Sequence, residues 1–193
     1  MDTADTLEVL TASPEQELVI LMSDDGQTIG TAPKSTVHDS DTALHLAFSC
    51  YVFNEQGAVL VTRRALSKRA WPGVWTNSFC GHPLPGEDRT GAVTRRAAHE
   101  LGLPLSGIRI VLPDFRYRAT DSSGVVENEI CPVYIAVATA DPVPNPDEVC
   151  EYVWADPAAL ARSIVDAPWA FSPWMVLQIA ELRAIADLPA FRA

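Results

Sequence analysis

Residues 81–103 read GHPLPGEDRTGAVTRRAAHELGL, which predicts a loop, a helix and a second loop in succession. Residues 88–101 have helical spacing. We expect the helix to end at Gly102, because glycine readily adopts the left-handed conformation that follows many helices, and Pro104 comes just beyond it.

Strand patterns lie on both sides of this helix. In residues 42–53, for example, Leu46 and Phe48 would point one way and His45 and Ser49 the other. Strands are expected at 17–22, 42–53, 58–63, 108–118, 127–139 and 151–154, turns at 24–26 and 54–57, and helices near 157–165 and 172–186. Hairpins mixed with a strand–helix–strand crossover predict an α/β (α+β) fold, a mixed sheet covered by helices.

The chain has 193 residues, which suits one domain with a substantial core. Residues 1–16 are acidic and weakly periodic, so we expect a flexible tail there. No apolar run is long enough to span a membrane, and no signal peptide is expected. The cysteines are scattered without a CxxC pair, which favours reduced thiols in a cytoplasmic protein: Cys50, Cys80, Cys131 and Cys150.

The net charge of −11 disfavours nucleic acid and anionic membranes as partners. Ten of the 14 basic residues nevertheless lie between Arg63 and Arg118, with only four acids in the same stretch. This basic middle has two interpretations: a solvated face, or a pocket for a small anion such as a diphosphate.

Histidine and glutamate residues suggest a metal site. Glu127 and Glu129 would project from the same face of a strand, where two like charges repel unless a cation lies between them. His45 would lie on the polar face of its own strand. A set of His38, His45, His82, Glu127 and Glu129 would suit zinc or a borderline transition metal. Separate surface histidines are the alternative.

Cys80 is a candidate reactive thiol. Its neighbours in residues 77–83 are polar or small, and His82 is two positions away. The arginines nearby would favour a thiolate, which acts as a base or a nucleophile. The alternative is a buried structural cysteine. No GxSxG motif supports acyl transfer.

The opening stretch also resembles the Nudix box, a 23-residue signature. The matching positions are Gly81, Glu87, Arg95, Glu100 and Gly102. Arg96 and His99 stand where Nudix hydrolases carry acids that hold magnesium, which argues against a nucleotide hydrolase. Arg96 and Glu100 share one helix face, either as a surface ion pair or as a grip on a magnesium–diphosphate.

Longer strings resemble the type I isopentenyl-diphosphate isomerases along residues 17–186. They are residues 45–48 (HLAF), 60–83 (LVTRRALSKRAWPGVWTNSFCGHP), 113–132 (PDFRYRATDSSGVVENEICP) and 168–175 (PWAFSPWM). The resemblance implies a Nudix-like mixed β-sheet sandwiched between helices, with residues 17–193 as a single Nudix-like isomerase domain. It also implies isomerisation of isopentenyl diphosphate to dimethylallyl diphosphate, by a monomer that binds neither nucleic acid nor membrane. A non-catalytic diphosphate-binding protein is a further alternative.

The resemblance also implies roles for individual residues. The catalytic divalent metal, Mn²⁺, Zn²⁺ or Mg²⁺, would be bound by His38, His45, His82, Glu127 and Glu129, and a Mg²⁺ that enters with the substrate by Glu100. The diphosphate contacts would be Lys34, Arg64, Lys68 and Arg96. Glu129, with Tyr117 and the metal, would protonate C4, and Cys80 would handle the C2 proton. Trp174 would lie over the developing cation.

Overall fold

The computed structural model describes residues 17–185 and 188–191. The expected flexible tail, residues 1–16, lies outside the described residues. The strands are β1 (Leu18–Met22), β2 (Thr28–Pro33), β3 (His45–Leu46), β4 (Phe48–Phe53), β5 (Val59–Arg64), β6 (Trp75–Thr76), β7 (Phe79–Gly81), β8 (Leu105–Leu112), β9 (Arg116–Thr120), β10 (Val126–Ile130), β11 (Val133–Ala138) and β12 (Val149–Ala155). The α-helices are α1 (Lys34–Val37), α2 (Arg89–Leu101), α3 (Pro157–Asp166) and α4 (Pro173–Leu182), and 3₁₀ turns lie at Pro168–Ala170 and Pro189–Phe191.

The strands form two mixed sheets, where the sequence pattern predicted one. The five-stranded sheet has the order β2-β1-β3-β10-β9, and the larger sheet has β12-β5-β4-β11-β8 with β6 on β5 and β7 on β4. Each sheet contains one parallel pair, β3 with β10 and β4 with β11, among antiparallel neighbours. The expected α/β class is therefore confirmed.

Two segments that were each predicted as one long strand cross side by side from the smaller sheet to the larger one. The predicted strand 42–53 is divided at Ala47, and the predicted strand 127–139 is divided at Cys131 and Pro132. Proline has no N–H to donate to a ladder, so the chain leaves the regular pairing there. Strand 108–118 is likewise divided after Leu112, where Pro113 begins a turn. The three predictions of single long strands were wrong at these points.

Helix α2 confirms the prediction for residues 88–101. The Asp88 side chain caps its start by accepting a hydrogen bond from the Gly91 N–H at 2.9 Å. Gly102 ends it with φ of 56°, in the left-handed region. A side chain at Gly81 would lie 2.6 Å from Arg96 Cγ, so the glycine lets β7 pack directly under α2.

Helices cover both faces of the larger sheet. On one face Phe48 and Leu60 are buried with Leu101 of α2. On the other face Tyr51 is buried with Met175 of α4, in a core that also includes side chains of α3. Burial of each such side chain stabilises the fold by about 1.5–3 kcal/mol. The expected arrangement between helices is confirmed, although α4 ends at Leu182. No helix in residues 17–185 and 188–191 has the length and apolar character needed to cross a membrane.

Candidate active site

Three histidines and a glutamate from separate segments meet at the smaller sheet. His45 on β3 is paired in register with Glu129 on β10. His38 follows α1, and His82 follows β7. One ligand atom from each of these four residues lies within 4.8 Å of all the others. The parallel pairing of β3 and β10 thus creates the cluster, which no single sequence segment contains.

Glu127 lies beside this cluster, on the same face of β10 as Glu129. Its Oε2 atom is 3.1 Å from Nε2 of His38. Burial and the charge of Glu129 raise the pKa of Glu127. The structure therefore brings together all five residues that were predicted to bind the metal, with Glu127 contacting the group through His38.

The residues present fit a divalent cation. Nδ1 of His45 donates to the Ala43 carbonyl at 2.9 Å, which directs Nε2 towards Glu129. This is the usual arrangement of a metal-binding histidine, whose second nitrogen is fixed by a carbonyl. Within the described residues, four buried polar atoms have no hydrogen-bond partner: His38 Nε2, His45 Nε2, His82 Nδ1 and Glu127 Oε2. Unpaired buried groups are costly, and a cation would satisfy them.

The charge states of Glu129 and His82 also suit metal binding. Burial alone would raise the pKa of Glu129, but the neighbouring His45 and His82 side chains outweigh it and hold that pKa well below its usual value. Burial lowers the pKa of His82 to about 3, so this imidazole is neutral. A carboxylate and a neutral imidazole are the forms that bind a metal.

Cys80 lies on β7, next to a polar network. Its Sγ donates to Oδ1 of Asn77 at 3.3 Å, and it lies 3.3 Å from Oγ of Ser49. Burial raises the pKa of the thiol to about 12, against a weaker opposite effect of Arg64. Arg64 does favour the thiolate, as predicted, but burial, which the local sequence does not reveal, outweighs it and the thiol keeps its proton.

Two aromatic residues connect the cluster with Cys80. The Tyr117 hydroxyl donates to Oε2 of Glu129 at 3.0 Å, from the paired position on β9. The Trp174 ring lies 5.7 Å from the Tyr117 ring, and its indole N–H donates to Asn77 at 2.9 Å. Trp174 is 2% exposed. The structure thus places Cys80, Glu129, Tyr117 and Trp174 in one site, where the last three are buried and Cys80 is half-buried.

The four predicted diphosphate contacts form a second group beside this site. The charges of Lys34, Arg64 and Arg96 all act on Lys68. Arg64 donates to backbone carbonyls of residues 70 and 71, and its guanidinium carbon lies 5.5 Å from the centre of the Trp174 ring. The four cationic side chains therefore lie near one another. Their role in binding the diphosphate stays a prediction.

Carboxylates partly neutralise these cations. Arg96 is 2.5 Å from Glu100, and the side chains of this pair are only 5% and 9% exposed, so it is not the ordinary surface ion pair that the spacing also allowed. Lys34 is 2.5 Å from Glu17. Glu148 contacts Lys68 and lies 3.4 Å from Arg96.

Three residues of the site were not identified from the sequence. Glu148 follows a Pro-rich loop far from the motifs, and no local pattern distinguishes it. Asn77 and Ser49 are polar residues within segments whose neighbours are buried, which could have indicated an interior hydrogen-bonding role. All three contact candidate site residues.

The fold and the site define a NUDIX-domain protein with a His–Glu cluster that could hold a metal ion. The NUDIX domain model matches residues 43–175. A crystal structure of a Deinococcus radiodurans protein has a TM-score of 0.60 and 21% identity, covering 78% of this chain and 90% of that chain. A NUDIX hydrolase from Nitrosomonas europaea has a TM-score of 0.51 and 15% identity, covering 72% and 88%. These two likenesses concern the fold alone.

Curated relatives make the assignment more specific. Isopentenyl-diphosphate Delta-isomerase of Clavibacter michiganensis is 66% identical over 84% of each chain. The isomerase of Agromyces mediolanus is 64% identical over 84% of this chain and 79% of its own. That of Escherichia coli O1:K1 is 54% identical over 92% and 97%. The chain therefore belongs to the isopentenyl-diphosphate Delta-isomerases of the NUDIX family.

Proposed function

We propose that this chain isomerises isopentenyl diphosphate to dimethylallyl diphosphate in isoprenoid biosynthesis, by a metal-dependent 1,3-allylic proton shift at Cys80 and Glu129. Family membership, at 54–66% identity to named isomerases, supports the reaction. The observation that carries the mechanism is the convergence of a thiol, a carboxylate and two aromatic residues in one site.

The reaction needs one proton added at C4 and another removed from C2. We assign the C4 proton to Glu129, which receives the hydroxyl hydrogen bond of Tyr117, and the C2 proton to Cys80. Trp174 would stabilise the tertiary cation by about 2 kcal/mol in a desolvated site. Burial of the site also keeps out water, which would capture the cation as an alcohol.

Of the two proposed proton-handling groups, only Cys80 carries a proton at rest. Cys80 rests as a thiol and Glu129 as a carboxylate. Under the assigned polarity this is the starting state of the reverse reaction, in which Cys80 protonates C2. Forward turnover therefore requires the thiol to lose a proton and the carboxylate to gain one between cycles.

A divalent cation, Mn²⁺, Zn²⁺ or Mg²⁺, would be held by His38, His45, His82 and Glu129, with Glu127 beside them. When bound, it supplies positive charge that lowers the pKa of the groups it contacts. Glu100 would hold a Mg²⁺ that arrives with the diphosphate. We further propose that residues 17–193 act as one domain, in a cytoplasmic monomer whose four cysteines are free.

In deuterated water with isopentenyl diphosphate and Mg²⁺, we expect the protein to form dimethylallyl diphosphate that carries deuterium at the new C4 methyl group. Nuclear magnetic resonance of the product measures this directly. Recovery of unlabelled, unconverted substrate would contradict the isomerase proposal. Phosphate release from nucleotides without a double-bond shift would instead favour a Nudix hydrolase.

Lys68→Met should raise the KM for isopentenyl diphosphate by about 10- to 100-fold, because it removes a charged hydrogen-bond donor from the anion site. Burial lowers the pKa of Lys68 to about 8, so the wild-type KM should also rise above that pH as the ammonium group loses its proton. Steady-state kinetics as a function of pH measure both effects. Arg69→Met is the matched control, since Arg69 is exposed and, among the described residues, its side chain bonds only the backbone carbonyl of Ser35. An equal KM rise in this control would refute a specific role for Lys68.

A further inference from the structure

The polar network behind Cys80 has a single residue at its centre. The Asn77 side chain is fully buried, although amides usually lie at the surface. Its NH₂ group donates to the backbone carbonyls of Cys50 at 3.1 Å and Phe79 at 2.7 Å. Because carbonyl oxygens only accept, these two bonds fix which end of the amide faces the site.

The other end, Oδ1, therefore acts only as an acceptor, and three donors meet on it. They are the thiol of Cys80 at 3.3 Å, the indole N–H of Trp174 at 2.9 Å and the hydroxyl of Thr76 at 2.9 Å. One oxygen thus holds both a proposed proton-handling group and the proposed cation-stabilising ring, which come from positions 94 residues apart in the chain (174 − 80).

A second contact fixes the sulfur from another direction. Gln178 donates to Ser49 Oγ at 2.9 Å, so the Ser49 hydroxyl is left to donate towards the sulfur of Cys80 at 3.3 Å or that of Cys131 at 3.4 Å. The sulfur of Cys80 therefore has a fixed acceptor in Asn77 and a shared donor in Ser49. Asn77 itself takes no part in the proton steps assigned to Cys80 and Glu129.

We propose that Asn77 is a positioning residue, whose side-chain carbonyl sets the relative placement of the Cys80 thiol and the Trp174 ring on the allyl unit of the substrate. This rests on the proposed isomerase function and adds a specific determinant of its geometry. A displacement of about 1 Å in a reacting group can cost about 100-fold in rate.

The test is Asn77→Ala, compared with Ser172→Ala as the matched control. Ser172 bonds Thr76 at 2.7 Å in the same buried network, but within the described part of the chain its side chain bonds neither Cys80 nor Trp174. We expect Asn77→Ala to lower kcat by about 10- to 100-fold with little change in KM. The control should lose stability while it keeps kcat near the wild-type value.

A second readout follows Cys80 without turnover. Iodoacetamide alkylation, located by peptide mass spectrometry, should accelerate several-fold at Cys80 in Asn77→Ala, because the sulfur is no longer held in place by Asn77 and the reagent reaches it more easily. Alkylation at buried Cys131 reports general loosening and should stay slow. Unchanged kcat and unchanged Cys80 alkylation would overturn the inference, and so would equal acceleration at Cys131.

A double-mutant cycle provides the third readout. If Asn77 acts through Trp174, the loss of kcat in the Asn77→Ala, Trp174→Phe double variant should be smaller than the product of the two single losses. Strictly multiplicative losses would contradict this.

If Asn77→Ala does not fold, Trp174→Phe alone removes one donor from Oδ1, and an unchanged Cys80 alkylation rate would then overturn the inference. A wild type without turnover would refute the isomerase proposal, while alkylation would still test the positioning.

Discussion

Cys80→Ala and Glu129→Gln should each lower the turnover of isopentenyl diphosphate by about 10²- to 10⁴-fold, because each removes one group that moves a proton in the transition state. Formation of dimethylallyl diphosphate, followed by nuclear magnetic resonance, gives the rates. Substrate binding should persist, since the diphosphate contacts lie on other residues. Suitable controls are the adjacent exposed pair Cys150→Ala and Glu151→Gln.

Deuterium exchange separates the roles of the two groups. If Glu129 delivers the C4 proton, Cys80→Ala should still exchange C4 hydrogens of isopentenyl diphosphate in deuterated water, without forming product. Glu129→Gln should not exchange them. The opposite pattern would reverse the assigned polarity while it leaves the pair intact. Near-normal turnover in either variant would remove that residue from the mechanism.

The proposed metal ligands could be identified from the sequence because histidine is rare in this chain. There are only four histidines, and three of them join the cluster. Glu127 and Glu129 lie on the same face because side chains alternate along a strand. This spacing can be read from the local sequence. The partner of Glu129, His45, comes from a parallel pairing 84 residues away in sequence (129 − 45). The pairing itself could be inferred only from the family resemblance.

Other features depend on burial, which a local sequence pattern does not contain. Arginines near Cys80 in the sequence suggested a thiolate, but the thiol is buried and keeps its proton. The prolines at 113 and 132 lie inside apolar runs that otherwise continue as strands, so the change of sheet at these points was not predicted. In both cases tertiary packing outweighed the local signal.

Removal of the metal should unfold the site and stop turnover together. A ligand present at about 100 times its dissociation constant stabilises a folded protein by about 2.7 kcal/mol, so a chelator should lower the melting temperature and added Mn²⁺, Zn²⁺ or Mg²⁺ should restore it. The physical reason is that three buried nitrogens and one buried oxygen, which form no hydrogen bond among the described residues, would lose the cation that pairs with them.

The variant His82→Ala tests whether the clustered histidines are responsible for this stabilisation by metal. It should lower metal affinity by more than roughly 10- to 100-fold, which is typical of losing a residue that only hydrogen-bonds a metal ligand, because His82 is a proposed direct ligand. Metal content by elemental analysis, thermal melting with and without chelator, and turnover are the measurements. His99→Ala is the matched control, since that histidine is about half exposed and contacts Glu148 outside the cluster. Equal metal content in both variants would place the metal elsewhere, whereas selective loss in His82→Ala would connect the buried cluster to both stability and catalysis.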